Sequence, residues 1–327
     1  MKGFSVKSVC ECVLATALTA IFFVISGSSA AFAVFTALFG GVPLVFLAVR
    51  YGAAKSGICY AAAVIFVFIV SGCLGRAALN AFILMLPSFA VGYAMRNNFR
   101  YYQTMLAAAA AVLFGILLNV IIANAASEYD NAVLHIIDEA AGYAENTMLS
   151  YVASLGLEPG EITELISQSV SETKNMILTY FPLLLIIISA VAGYLIVSVC
   201  IFFVRRFRVK RYEYVRFYMI KVPKSLSTVA VILMVVSFLS YDDSLLTLSL
   251  KNLAAMLAVI LAVDGMSVVD FKLREKIRSG YIRALIYVSA LTVGYFMLSI
   301  IFYVLMFLGM LDANIDMRML KRVGGNR

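Results

Sequence analysis

Charge is scarce in this 327-residue chain, where Asp, Glu, Lys and Arg together make up 13% of the residues. Soluble domains carry about 25%, so an ordinary water-facing surface is excluded. Histidine is reduced to His135, which rules out histidine pairs as metal ligands or acid–base partners. Its place on a polar amphipathic segment reads as surface or packing rather than catalysis. The chain has no Gly-Lys pair, so the phosphate-cradling GxxxxGK loop is absent. HExxH and GxSxG are also missing, and with them the usual zinc-protease and nucleophile-elbow chemistry. The residues therefore predict no enzyme, no metal site and no cofactor. Five cysteines (Cys10, Cys12, Cys59, Cys73, Cys200) lie in or beside apolar runs and read as small apolar packing residues rather than disulfide or metal partners.

What the chain has in abundance is hydrocarbon: 63% of its residues are hydrophobic. From Phe181 to Val204 no side chain is charged, a run longer than the about 20 residues an α-helix needs to cross a bilayer core. Arg205, Arg206, Arg208, Lys210, Arg211, Arg216, Lys221 and Lys224 follow it, against Glu213 alone. Cytoplasmic loops carry such an excess, so this span ends inside. Residues 125–176 are acidic and hold Lys174 as their one fixed positive charge, which places them outside. Of the 26 basic residues, 17 fall in three patches at 205–224, 272–283 and 318–327. Inside-positive bias and lipid headgroups account for that pattern, and no aromatic and basic nucleic-acid module accompanies it.

Apolar runs then divide the chain. The first span covers about 9–25, and the next run, 31–49, carries Gly40, Gly41 and Pro43, which predict a break near its middle. Spans follow at 57–74, 77–95 and 101–124; the last holds Ala107 to Ala111 and Gly115, small residues that let helices approach. The outer insertion has apolar residues at helical spacing, interrupted by Gly156 to Gly160. Two more spans, 225–240 and 250–269, precede a long run from Ala284 to Leu311. One crossing there would leave the basic tail outside, whereas a bend near Gly294 would return it inside. The expected fold is an all-α polytopic transmembrane bundle of eight or nine spans with an outer amphipathic helical insertion. Its regions are 1–124 (five spans), 125–176 (insertion), 177–311 (three or four spans) and 312–327 (basic tail). The bilayer is the expected setting, with the N-terminus on the cytoplasmic side of a plasma membrane.

Polar groups at membrane depth are costly and mark candidate sites. Arg76, Asn80, Asn119 and Asn252 sit near outer helix ends and are candidates for binding a small polar solute. Asp264 lies six residues before Asp270, about 9 Å along a helix, and is a candidate coupling group or the partner of an inner Arg or Lys. Arg205, Arg206 and Arg208 are candidates for docking a partner on the inner face. Ala254, Ala258 and Ala262 form a ridge of small side chains suited to helix packing.

The segments FRVKRYEYVRFYMIKVPK, SLKNLAAMLAVILAVDGMSVVDF and FLGMLDANIDMRMLKR resemble the YybS-like family of bacterial membrane proteins. Asn252, Gly265, Asp312 and Arg318 match that family's pattern; the resemblance implies no reaction or substrate. GGVPLVFLAVRYGAAKSGICYAAAVIF is similar to the substrate-capture subunits of energy-coupling-factor transporters, with Gly52 and Gly57 at the matching turn. That resemblance implies capture of a vitamin or metal ion from outside, alongside a transmembrane coupling subunit and separate ATPases. The chain departs from it in its greater length, in its insertion, and in lacking Ala-x-x-x-Ala in the first span. Two function classes follow: a transport component that captures a small solute at the outer face, or a membrane scaffold or regulator that docks a partner through its basic inner loops.

Overall fold

Helices supply all the long regular elements of the computed structural model, which describes residues 6–26, 30–72, 80–126, 131–154, 160–212, 215–240, 244–294 and 298–318. Among these residues there is no strand, so the all-α expectation holds. Its physical basis is that a helix satisfies every backbone polar group within the segment, which hydrocarbon requires. Contacts divide the chain into two compact units, Met1–Tyr214 and Val215–Arg327.

In the first unit, α1 (Val6–Ile25) is followed by α2 (Ala30–Phe39) and α3 (Val42–Tyr51), with the expected break falling at Gly40-Gly41. Then come α4 (Ala53–Ser71), a π-helical turn (Asn80–Met85) leading into α5 (Leu86–Arg96), and α6 (Tyr101–Ala126). The insertion forms α7 (Ala132–Ser154) and α8 (Gly160–Thr179), and the long apolar run forms α9 (Phe181–Arg206). Helix α9 packs along α6. A Cβ at Gly193 of α9 would stand 2.7 Å from the Ala109 amide nitrogen, so the alanine run of α6 admits the α9 backbone as its small side chains predict. Phe23, Leu44, Val67 and Met85 form a dry core among α1, α3, α4 and the π turn. The insertion helices pack on each other, and Lys174 reaches Asp138 at 2.5 Å. Cys12, Cys59 and Cys200 are buried free thiols, as expected; Cys10 is exposed.

The second unit opens with a short 3-10 turn (Phe217–Met219), then α10 (Lys224–Leu239) and α11 (Leu245–Lys276). Helix α11 is longer than the 250–269 span read from the sequence, because its polar ends continue the helix beyond the apolar stretch. The run 284–311 is described as α12 (Gly280–Gly294) and α13 (Leu298–Ile315), and the bend near Gly294 that the sequence allows falls at 295–297, outside the described residues. Helices α11 and α13 make the closest contact in this unit. A Cβ at Gly265 would lie 1.9 Å from the Leu305 carbonyl oxygen, and one at Gly309 would lie 1.9 Å from that of Leu261. Only paired glycines permit that approach. Ala254, Ala258 and Ala262 are buried, as a packing ridge should be.

Helices α1, α4, α6, α9 and α11 are long and apolar enough to cross a membrane; α10 and the segments 35–51, 82–96 and 299–315 are shorter apolar helices. Leu106 and Phe238 are among the apolar side chains left 70% and 78% exposed, a distribution suited to lipid contact rather than water.

Candidate functional site

The second unit buries charge at the α11–α13 crossing. Asp264 and Ser267 share one face of α11, being one helical turn apart, and Asp312 lies in the last turn of α13. Beyond α13 the backbone turns through a left-handed Asp316, at φ 56°, a conformation whose cost Asp and Asn side chains offset better than most. That turn carries Arg318 back beside Asp312. The guanidinium Nη2 donates to Asp264 Oδ1 and Asp312 Oδ2, each at 2.7 Å, while Nε donates to Asp312 Oδ2 at 3.2 Å. Nη1 donates to Ser267 Oγ at 2.5 Å and to the Tyr218 and Ile220 carbonyls at 3.0 and 2.7 Å. The Ser267 hydroxyl in turn donates to the Phe217 and Ile220 carbonyls at 2.9 and 3.0 Å. One guanidinium thus ties α11, α13 and the 217–220 backbone into a single node, using the planar fork of donors that distinguishes Arg from Lys.

The electrostatics of this node are unbalanced. The side chains of Asp264, Asp312 and Arg318 are wholly buried: two carboxylates against one guanidinium. At the rim Lys221 binds Asp316 and lies 3.9 Å from Asp312 Oδ2. The acceptors are not all filled either. Asp312 Oδ1 has no hydrogen-bond partner among the described residues. Asp264 also feels the Val222 backbone amide, but its Oδ2 completes no hydrogen bond there. Of the neighbouring polar groups, Asn314 approaches Ser227 of α10 at 3.5 Å and donates to its own Met310 carbonyl at 2.8 Å. Further along α11, Asp270 has cations in excess: Arg274 Nε and the Tyr287 hydroxyl each donate to it at 2.9 Å, and Arg283 stands 3.8 Å away.

Asp264 was expected either to couple or to pair with an inner base, and its partner is Arg318. Sequence reading placed Arg318 in a basic tail that marked sidedness; the structure makes it the centre of the buried node. Because Arg318 binds the 217–220 backbone, the end of α13 and that segment lie at the same end of the unit. No periodicity signals such a pairing. The hint in the sequence was the joint presence of Asp312 and Arg318 in one short motif.

The other candidates are not brought together among the described residues. Arg76 lies outside them, and of Asn80 only the backbone, in the π turn, is described. Asn119 donates to the Gly115 carbonyl of its own helix at 2.8 Å, and Asn252 to that of Leu248 at 3.0 Å. Both therefore bond within their helices, and they belong to different units. Arg205, Arg206 and Arg208 are exposed around a shallow hollow of about 620 Å³ at the end of α9. Arg208 takes the left-handed position, φ 54°, that closes α9.

Not all of the basic loop remains available for a partner. Lys210 Nζ donates to the Met95 and Arg96 carbonyls at 2.5 and 3.0 Å, capping the C-terminal end of α5. Its burial, with Arg96 beside it, lowers the Lys210 pKa. Tyr212 donates to the Phe99 carbonyl and accepts from Thr104 at 2.5 Å. Burial raises the pKa of this phenol, against the opposing hydrogen bond from Thr104.

A family model described as a predicted membrane protein, DUF2232, matches residues 17–313. Comparison with curated proteins and with solved structures gives no match.

Proposed function

Because the chain belongs to that family of predicted membrane proteins, we propose that it is a non-enzymatic transport component that captures a small solute at the outer face, with Asp264 and Asp312 as its coupling pair. The observation that carries this reading is the surplus carboxylate of the buried node. In a low-dielectric setting an unbalanced charge is expensive. Arg318 already occupies the space between the two acids, and the described residues contain no group of three ligands for a metal ion. One proton, carried by Asp264, is the neutralising species in this reading. Its arrival or departure changes the grip of Arg318 on α11, α13 and the 217–220 backbone together.

Difference infrared spectroscopy of the reconstituted protein tests this. A protonated-carboxyl band in the wild type, removed in Asp264→Asn, is the expected result. No such band at any pH at which the protein is folded overturns the coupling role. The solute site is tested separately, since Arg76→Ala with Asn80→Ala should abolish solute binding. The finer placements belong to the same proposal: a YybS-like protein of the bacterial plasma membrane, with 125–176 outside and a capture-subunit-like N-terminal region. The sequence likeness supports these, and it implies a coupling subunit and ATPases as partners.

The exposed cluster of Arg205, Arg206 and Arg208 favours a second reading, a scaffold or regulator docking an acidic cytoplasmic or envelope partner. Charge reversal at all three positions should then abolish recovery of that partner while leaving solute binding intact.

A further inference from the structure

The basic patch at 272–283 plays no part in the Asp264 node, and the structure gathers two of its arginines around one carboxylate. Helix α11 leaves its apolar stretch at Val269 and ends on Asp270, Lys272, Arg274, Glu275 and Lys276. Lys272 pairs with Glu275 at 3.1 Å, so Asp270 is the acid left for Arg274 and Arg283. It does not satisfy both. Its Oδ2 accepts from Arg274 Nε and its Oδ1 from the Tyr287 hydroxyl, each at 2.9 Å. Arg283 Nη1 is held 3.8 Å from Oδ1, outside hydrogen-bond range.

Arg283 is short of acceptors. Its Nε and Nη1 are buried with no hydrogen-bond partner, a costly state for the donors of a charged group, while 15% of its side chain stays exposed. Its Nη2 lies 3.9 Å from where a Cβ on Gly280 would stand, so the guanidinium folds back over the first turn of α12, the positive end of that helix. A third guanidinium approaches from the segment before the 3-10 turn. Arg274 stands 4.5 Å from the centre of the Tyr218 ring and Arg216 5.9 Å from it, and Arg216 Nη1 donates to the Tyr218 hydroxyl at 2.9 Å. Asp270 is the one acid paired with these three arginines among the described residues.

Three guanidinia around one carboxylate leave two positive charges in excess. The surplus is reachable, since Arg216 is exposed and so is 37% of the Arg274 side chain. A terminal phosphate carries about −1.5 to −2 charges near neutral pH and meets that surplus; a phosphodiester carries a single charge and does not. The guanidinium fork also matches phosphate oxygens better than an ammonium would.

We infer that this cluster binds a terminal phosphate group, with Arg274 and Arg283 on its oxygens and Arg216 on its open side. Asp270 and Tyr287 are positioning residues, since Asp270 fixes Arg274 and Tyr287 fixes Asp270. Helix α11 is long and apolar enough to cross a membrane and the cluster stands at its polar end, where a monoester lipid headgroup and a soluble phosphate offer the same chemistry. The site shares only Tyr218 with the Asp264 node, through the carbonyl that binds Arg318, and does not depend on the coupling role.

Titration calorimetry of the unmodified chain in a non-ionic detergent tests this, with inorganic phosphate, dihexanoyl phosphatidic acid and dihexanoyl phosphatidylglycerol as probes. Phosphatidic acid should bind about fivefold more tightly than phosphatidylglycerol, the effect of one further charge. Arg283→Gln should weaken phosphatidic acid binding at least about tenfold, as loss of a charged hydrogen bond does. Arg216→Gln, at an exposed position, should weaken it about fivefold. Arg278→Gln removes the same charge from an exposed neighbour outside the cluster and should leave binding unchanged. Thermal unfolding without probe verifies that each variant is folded. Phosphatidic acid binding more tightly than inorganic phosphate supports the site with a lipid source; inorganic phosphate binding as tightly or more so supports it with a soluble one. No saturable binding, phosphatidylglycerol binding as tightly as the better of the other two probes, or equal weakening by Arg278→Gln and Arg283→Gln overturns the inference.

Discussion

The two units handle charge in opposite ways. In residues 1–214 the charged groups described stand at helix ends and rims: Glu11 with Arg50, Asp138 with Lys174, and Lys210 on the carbonyls ending α5. The interior they surround is hydrocarbon, knitted by phenylalanines and by small residues such as Gly193 and Ala109. In residues 215–327 the helix crossing itself holds Asp264, Asp312 and Arg318 with no exposure. A rim pair keeps its water or headgroup contacts and so contributes little to stability. A buried node must supply every partner from the protein, and its members are therefore interdependent. The lesson is that a helix bundle can gain cohesion without charge, so charge inside one calls for a reason beyond cohesion.

Removing one partner tests that contrast most severely. Arg318→Met leaves two buried carboxylates, and the second unit should lose about 3–5 kcal/mol, read by thermal unfolding in detergent. Arg50→Met at the rim of the first unit should lose no more than about 1 kcal/mol. Equal losses would erase the distinction between node and rim.

Steric substitutions come next. Gly309→Val puts side-chain atoms where the Leu261 carbonyl stands 1.9 Å from an ideal Cβ, and the α11–α13 crossing must separate. The expected cost is at least the about 1–3 kcal/mol of overpacking, together with a shift of the protonated-carboxyl band, because Asp264 is drawn away from the end of α13. Gly193→Val, crowding Ala109 in the first unit, should cost about the same and leave the band unchanged. That pair of outcomes separates packing from the node.

A smaller effect is expected at Tyr212, where Phe removes the hydrogen bonds to Phe99 and Thr104 at about 1 kcal/mol. The pH dependence has a definite sign. The folded-state pKa of this phenol is raised above its ordinary value of 10.0, so the folded protein holds the proton longer than the unfolded chain. That contribution is whole below 10.0 and is lost as pH rises through the folded value. Tyr212→Phe should therefore flatten the alkaline decline in stability. Smallest of all, Arg205→Gln, Arg206→Gln and Arg208→Gln should each stay within about 0.5 kcal/mol of wild type, since all three side chains are exposed.

Composition and periodicity alone determined the helical class, the apolar runs, the break at Gly40-Gly41 and the packing role of Ala107 to Ala111 and of the Ala254, Ala258 and Ala262 ridge. These follow from local rules: residues needed to cross hydrocarbon, backbone breakers, and side-chain size on one helix face. Asp264 stood out by its depth in an apolar run, but its partner did not, since 54 residues separate it from Arg318 and the contact exists only because α13 returns beside α11 and Asp316 turns the chain. Asn119 and Asn252 looked like pocket residues for the same reason that Asp264 looked like a site, and each donates an amide N–H to a carbonyl of its own helix. The arginine cluster at Asp270 was equally hidden, its members drawn from the segment before the 3-10 turn, α11 and α12, each unremarkable by itself. One-dimensional pattern decides which face of a helix is apolar, and the three-dimensional crossing decides which polar group on another helix it must meet.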